Sequence, residues 1–191
     1  MNIKFAALLA AAALSVAACE QQAATPQQAS AVPAADTASA TPAAPPAAAP
    51  QTLTSSDNAV SISVTGNFQD QLGGNALPEG AEAGTILQQY DENTDITLTV
   101  VDAGKPVKPA KEYYANLKTA LEQAGFASLK AGAATENRMD YSFTDAEGNN
   151  HNCINIYSPD NLYAVCAFSS SADNATLAET LKDVKLLKKA M

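Results

Sequence analysis

HNCINIYSPDNLYAVCAFS, residues 151–169, holds two runs of alternating apolar residues separated by the turn-forming SPDN at 158–161. Paired as an antiparallel hairpin with Tyr157 opposite Leu162, the runs bring Cys153 opposite Cys166, Ile154 opposite Val165 and Ile156 opposite Tyr163. Opposed residues of antiparallel strands have Cα atoms about 4.5–5.5 Å apart, within reach of a disulfide. The register therefore predicts a covalent Cys153–Cys166 brace on one face and a core contribution from Ile154, Ile156, Tyr163 and Val165 on the other. Closing a loop of roughly 14 residues contributes on the order of 3 kcal/mol. No CxxC spacing and no neighbouring basic residue lowers a thiol pKa here, so the pair reads as structural, against the alternative of a redox couple.

The same alternation extends outward from this hairpin. Val60, Ile62 and Val64 mark a first strand ended by Gly66, and 67–83 reads as a loop. Strands near 84–90 and 95–101 flank DENT at 91–94. Pro109 suits a first helical position; Tyr113 or Tyr114, Leu117, Leu121 and Ala124 then recur at helical spacing until Gly125. Strands near 126–131 and 137–144 precede the cysteine hairpin, with DAEGNN at 145–150 as a turn. Asp173 or Asn174 is placed to cap a closing helix whose stripe is Leu177, Leu181, Val184 and Leu186 or Leu187. This order predicts α+β, with helices packed against an antiparallel sheet.

The VSISV opening, the ILQQYDENTDITLTVVDAG hairpin, the PAKEYYANLKTALEQAG helix and the final ATLAETLKDVKLL segment together resemble the DcrB-like bacterial lipoproteins, within the wider Mog1/PsbP-like fold. The resemblance spans about 57–190 in element order and patterning, and the cysteine pair is not part of it. It implies an α/β/α sandwich in an envelope lipoprotein and brings no active-site residues.

Before this domain the chain changes character. Lys4, then an uncharged apolar run from Phe5 to Ala18, have the layout of a secretory signal peptide too short to span a bilayer as a helix. Val16-Ala17-Ala18-Cys19 resembles a lipobox, which implies removal of 1–18, lipidation of the Cys19 thiol and acylation of its new amino group, commonly by palmitate. The alternative is ordinary export with an incidental cysteine. Each buried methylene contributes about 0.8 kcal/mol, so several chains on Cys19 would anchor stably. Glu20 next to it, in place of Asp, resembles lipoproteins destined for the outer membrane. From Cys19 to Gln51 the chain is nearly all Ala, Pro, Gln, Thr and Ser, with Val32 as its only branched aliphatic residue. Such a segment buries too little apolar surface to offset its conformational entropy and reads as a disordered, partly polyproline-like spacer, a possible O-glycan carrier. Residues 52–191 then form a single globular domain.

Charge and chemistry narrow the function. The chain carries 11 Lys and Arg against 20 Asp and Glu, a net charge of −9, with only Lys4, Glu20 and Asp36 preceding Thr52. An acidic domain of this kind is a poor nucleic-acid binder. His151 is the only histidine and has no companion cluster at metal-ligand spacing. DAEGNN lacks the acidic spacing and terminal glutamate of a calcium loop, and no serine has a Gly-x-Ser-x-Gly setting. The lysines at 182, 185, 188 and 189 read as complements to a helix dipole, against a basic contact for an anionic group. The long segment 66–84 and the adjoining sheet edge are the place to look for a binding site. The resulting expectation names no catalytic residue, cofactor or metal. It is a non-enzymatic binding module tethered to the envelope, contacting the membrane through its lipid and an envelope protein or small ligand through its domain. The alternative is a surface-exposed protein that contacts a host or inhibits a hydrolase.

Overall fold

A computed structural model of the chain describes residues 49–73 and 81–187. Its strands are β1 (Pro50–Thr54), β2 (Val60–Thr65), β3 (Gln69–Asp70), β4 (Thr85–Asp91), β5 (Ile96–Asp102), β6 (Ala127–Ala131), β7 (Arg138–Thr144), β8 (Asn150–Tyr157), β9 (Leu162–Ser169) and β10 (Val184–Leu186). Two helices, α1 (Ala110–Gln123) and α2 (Asn174–Thr180), are inserted among them. The strands form a seven-stranded antiparallel sheet ordered β3-β4-β5-β9-β8-β7-β6 and a three-stranded sheet ordered β1-β2-β10. The fold is α+β, antiparallel sheets packed with helices.

Alternation in each strand divides the large sheet into two faces. Leu98 and Val100 of β5, Ile154 and Ile156 of β8, and Val165 and Ala167 of β9 are buried with Val60, Ile62 and Val64 of β2 and with Leu177 and Leu181. This core is closed by α2 and the small sheet together. The opposite face receives α1, which buries Tyr114 and Leu121 against Met139, with Tyr141, Tyr157, Phe126 and Leu129 packed around them. The outer layers are thus a helix on one side and a helix plus three strands on the other.

Helix limits follow from local chemistry. Pro109 is the N-cap of α1 rather than its first helical residue, and its carbonyl accepts the Tyr113 amide at 2.9 Å. Gly125, with φ of 73°, stops the helix in a conformation that favours glycine. The Asp173 carboxylate caps α2 by accepting the Thr176 amide at 2.8 Å.

Three expectations are corrected. The closing helix ends at Thr180, and Val184–Leu186 pairs with β2, Val184 opposite Ile62 and Leu186 opposite Val60. The other edge of β2 is taken by β1, so without β10 the backbone of this buried strand would lack partners on one side. That demand overrides helical periodicity in a helix of only seven residues. A dipole role for Lys185 goes with it; Lys182 instead pairs with Glu179, and positions 188 and 189 lie outside the described residues. Next, β1 begins at Pro50, inside the stretch read as spacer, because Pro50–Thr54 lies alongside Thr65–Ser61. Finally, the loop read at 67–83 contains β3, whose Gln69 and Asp70 pair with Tyr90 and Gln89. The leader, Cys19 and the spacer up to 48 lie outside the described residues, as do 74–80.

Candidate binding groove

Cross-strand register aligns the α1-side face of the large sheet into rows. One row runs Tyr90, Thr97, Phe168, His151 and Phe143 across β4, β5, β9, β8 and β7. The next runs Gln88, Thr99, Cys166, Cys153 and Tyr141, and the third Thr85, Val101, Ala164, Asn155 and Met139. Helix α1 covers the β6–β8 end of this face, over Met139, Tyr141 and Asn155. There the Tyr113 hydroxyl donates to Asn155 Oδ1, the Tyr114 hydroxyl donates to the Asn155 carbonyl at 3.3 Å, and Asn155 Nδ2 donates to the Tyr141 hydroxyl at 3.3 Å. Burial under the helix pushes the Tyr113 and Tyr114 phenols up to about 12, so both remain donors at any physiological pH.

Beyond the helix, among the described residues, the face stays open as a groove of about 560 Å³. Leu121 and Phe126 form one wall, Ala81, Glu82 and Thr85 the other, and the floor is Thr99, Val101, Ala164 and the cysteine pair. Cys153 and Cys166 are joined by a disulfide with Cα atoms 4.1 Å apart, and Cys153 is 2% exposed. Glu82 is fixed at the rim through its carbonyl, which accepts both the Thr85 amide at 3.1 Å and the Thr85 hydroxyl at 2.6 Å.

A ladder of rings crosses one end of the groove. Phe126 and Phe143 have centroids 4.1 Å apart, Phe143 and His151 4.5 Å, and His151 and Phe168 5.2 Å, with interplanar angles of 24°, 5° and 19°. Near-parallel rings at these separations lie offset-stacked, so the stack runs across the strands, and Phe126, Phe143, His151 and Phe168 all line the groove. His151 is held further by Nε2, 2.9 Å from Asp145 Oδ2. Asp145 also accepts the Asn149 amide at 2.8 Å and Asn149 Nδ2 at 3.0 Å. Burial raises the Asp145 carboxyl, but these hydrogen bonds and His151 outweigh it and hold it at about 2. DAEGNN is accordingly a turn between β7 and β8 whose carboxylate is used internally.

At the far end of the same row, Asp95 Oδ2 accepts the hydroxyls of Ser169 at 3.2 Å, Ser170 at 2.7 Å and Ser171 at 3.1 Å, while the Tyr90 hydroxyl donates to Oδ1 at 3.2 Å. The serine hydroxyls, Ser170 first, hold this carboxyl below its ordinary value. The arrangement closes the β4–β5 turn onto the end of β9. Among the described residues, no group of three or more His, Cys, Asp or Glu side chains converges to hold a metal ion. No described helix is long and apolar enough to cross a membrane.

A second hollow of about 630 Å³ lies between α1 and residues 132–136 and is rimmed by Lys111, Lys118 and Glu136. It gathers fewer converging aromatic and polar groups than the groove over the disulfide, which is the better candidate on those grounds. Of the segment 66–84 singled out in the sequence, Ala81 and Glu82 reach the groove. The ring ladder was not anticipated. Its signal was present as aromatic or imidazole residues at alternate positions, Tyr141 and Phe143, His151, and Phe168, but only the register of β7, β8 and β9 aligns them.

No family model matches the chain, and no curated protein matches it. Among solved structures it is similar to the solution structure of cyanobacterial PsbP (CyanoP) from Synechocystis sp. PCC 6803, at 10% identity and a TM-score of 0.47, covering 78% of this chain and 98% of that one.

Proposed function

We propose that the chain is a non-enzymatic binding module of the bacterial envelope, DcrB-like in kind, tethered to the outer membrane by lipid on Cys19 and standing off it on the spacer that precedes β1. Its recognition surface is the groove over the disulfide. The Cys153–Cys166 bond carries this reading: disulfides persist in oxidising compartments, and here one braces a domain that follows an export-type leader. The use made of the only histidine supports the absence of catalysis. Its ring is sandwiched by Phe143 and Phe168 and its Nε2 is taken by Asp145, so it serves the packing of the sheet.

Cys19→Ser tests the tether. Cells expressing wild type should hold the protein in the membrane fraction, and the variant should leave it for the soluble envelope fraction. A processed variant that stays with the membrane refutes the lipid anchor.

A further inference from the structure

Resting on the reading of this groove as a recognition surface, we infer that it takes an amphipathic aromatic cation: a flat ring lying over the disulfide and the edges of Phe143, His151 and Phe168, with its positive end beside Glu82. Two features of the groove favour such a guest. Stacked rings present their edges, which carry the positive part of the aromatic quadrupole, and such edges are complementary to the face of another ring. A planar guest laid on the ladder thus makes several edge-to-face contacts at once. The second feature is charge. No Lys or Arg lines the groove among its described residues, whereas Glu82 stands on its rim. The field of that carboxylate reaches the opposite wall: burial pushes the Tyr141 phenol up, a hydrogen bond with Asn155 opposes this, and Glu82 raises it further. Along β5 the groove runs from the row of Thr97 to Val101, opposite Thr85 of the Glu82 wall, four residue steps or roughly 13 Å. Anionic and purely aliphatic guests are disfavoured by the same features.

The test uses the full chain carrying Cys19→Ser and three probes built on one naphthyl ring: a trimethylammonium, its neutral carbon isostere and a carboxylate. Binding is read by naphthyl fluorescence and by calorimetry. The cation should bind about tenfold more tightly than the neutral isostere, with the carboxylate weakest. Glu82→Gln, an exposed substitution, should bring cation and isostere to within about threefold. Thr99→Phe, which fills the floor, should abolish saturable binding of all three while leaving the circular dichroism spectrum unchanged. Equal binding of cation and isostere, a preference that survives Glu82→Gln, or no saturable binding to the folded chain overturns the inference. Membrane fractionation of Cys19→Ser is independent of all three results, so loss of the ligand class and loss of the tether are distinguishable.

Discussion

Removing the Cys153–Cys166 bond is the sharpest perturbation of the domain. The two residues are 13 apart in sequence, and closing a loop of this size restricts the unfolded chain by on the order of 3 kcal/mol. The native hairpin should survive the loss, because Ile154 still faces Val165 and Ile156 still faces Tyr163 in a buried core. Cys153→Ala with Cys166→Ala is the appropriate variant; serine would place a new hydroxyl at position 153, which is almost fully buried. The chain has no tryptophan, so urea unfolding is followed by far-ultraviolet circular dichroism and tyrosine fluorescence. With a urea slope of about 2 kcal/mol/M, the midpoint should fall by roughly 1.5 M, and the slope should rise slightly as the uncrosslinked unfolded chain exposes more surface. Wild type in reductant should match the variant. A variant midpoint within about 0.3 M of oxidised wild type would refute the claim that the bond acts by restricting the unfolded chain.

Other perturbations test the remaining features. Asp145 has its carboxyl held at about 2, below the unfolded value, so its contribution to stability is complete above roughly pH 4 and is lost as pH falls toward 2. Asp145→Asn should therefore flatten the dependence of the unfolding midpoint on pH across that window, and an unchanged slope would count against the Asn149 and His151 contacts. Gly84 has φ of 88°, and a Cβ there would lie 2.5 Å from the Asp102 carbonyl oxygen, so Gly84→Ala should cost about 1–3 kcal/mol in the same urea assay. Leu177 is fully buried in α2, and Leu177→Ala should cost about 2–5 kcal/mol through the cavity it leaves.

The parts of the fold legible in the sequence were those decided by local chemistry and short-range register. Four residues between Tyr157 and Leu162 fix every pair of β8 and β9, and Gly125 fixes the end of α1. Illegible parts were decided by distant partners. Val184–Leu186 has a helix-compatible pattern and becomes a strand because β2, more than a hundred residues earlier, offers an edge. PQTLT holds one apolar residue, Leu53, and becomes a strand by lying along the other edge of β2. The groove was half legible: alternation assigns the cysteines and rings to faces, but only the pairing of β5 with β9 brings Thr99 and Val101 beside Cys166 and Ala164.

The position of the disulfide follows from the inequality between the two faces of the large sheet. On the α2 side, β5, β8 and β9 contribute side chains that are almost completely buried beneath a second layer, and that burial reinforces their register. On the α1 side, the helix stops short of the middle of the sheet, so Thr99, Ala164 and Phe168 line an open groove and gain less from burial. A surface kept open for a guest cannot also be sealed by packing, and an apolar groove floor is where strand pairing loses support. The Cys153–Cys166 bond crosses β8 and β9 at that floor, replacing a missing layer with a covalent link. If the bond makes up this deficit through the unfolded chain, its contribution is independent of what covers the groove: with Thr99→Phe, removal of both cysteines should still lower the urea midpoint by roughly 1.5 M. A distinctly smaller loss would mean that the bond instead braces the folded strands, where a filled groove can substitute for it.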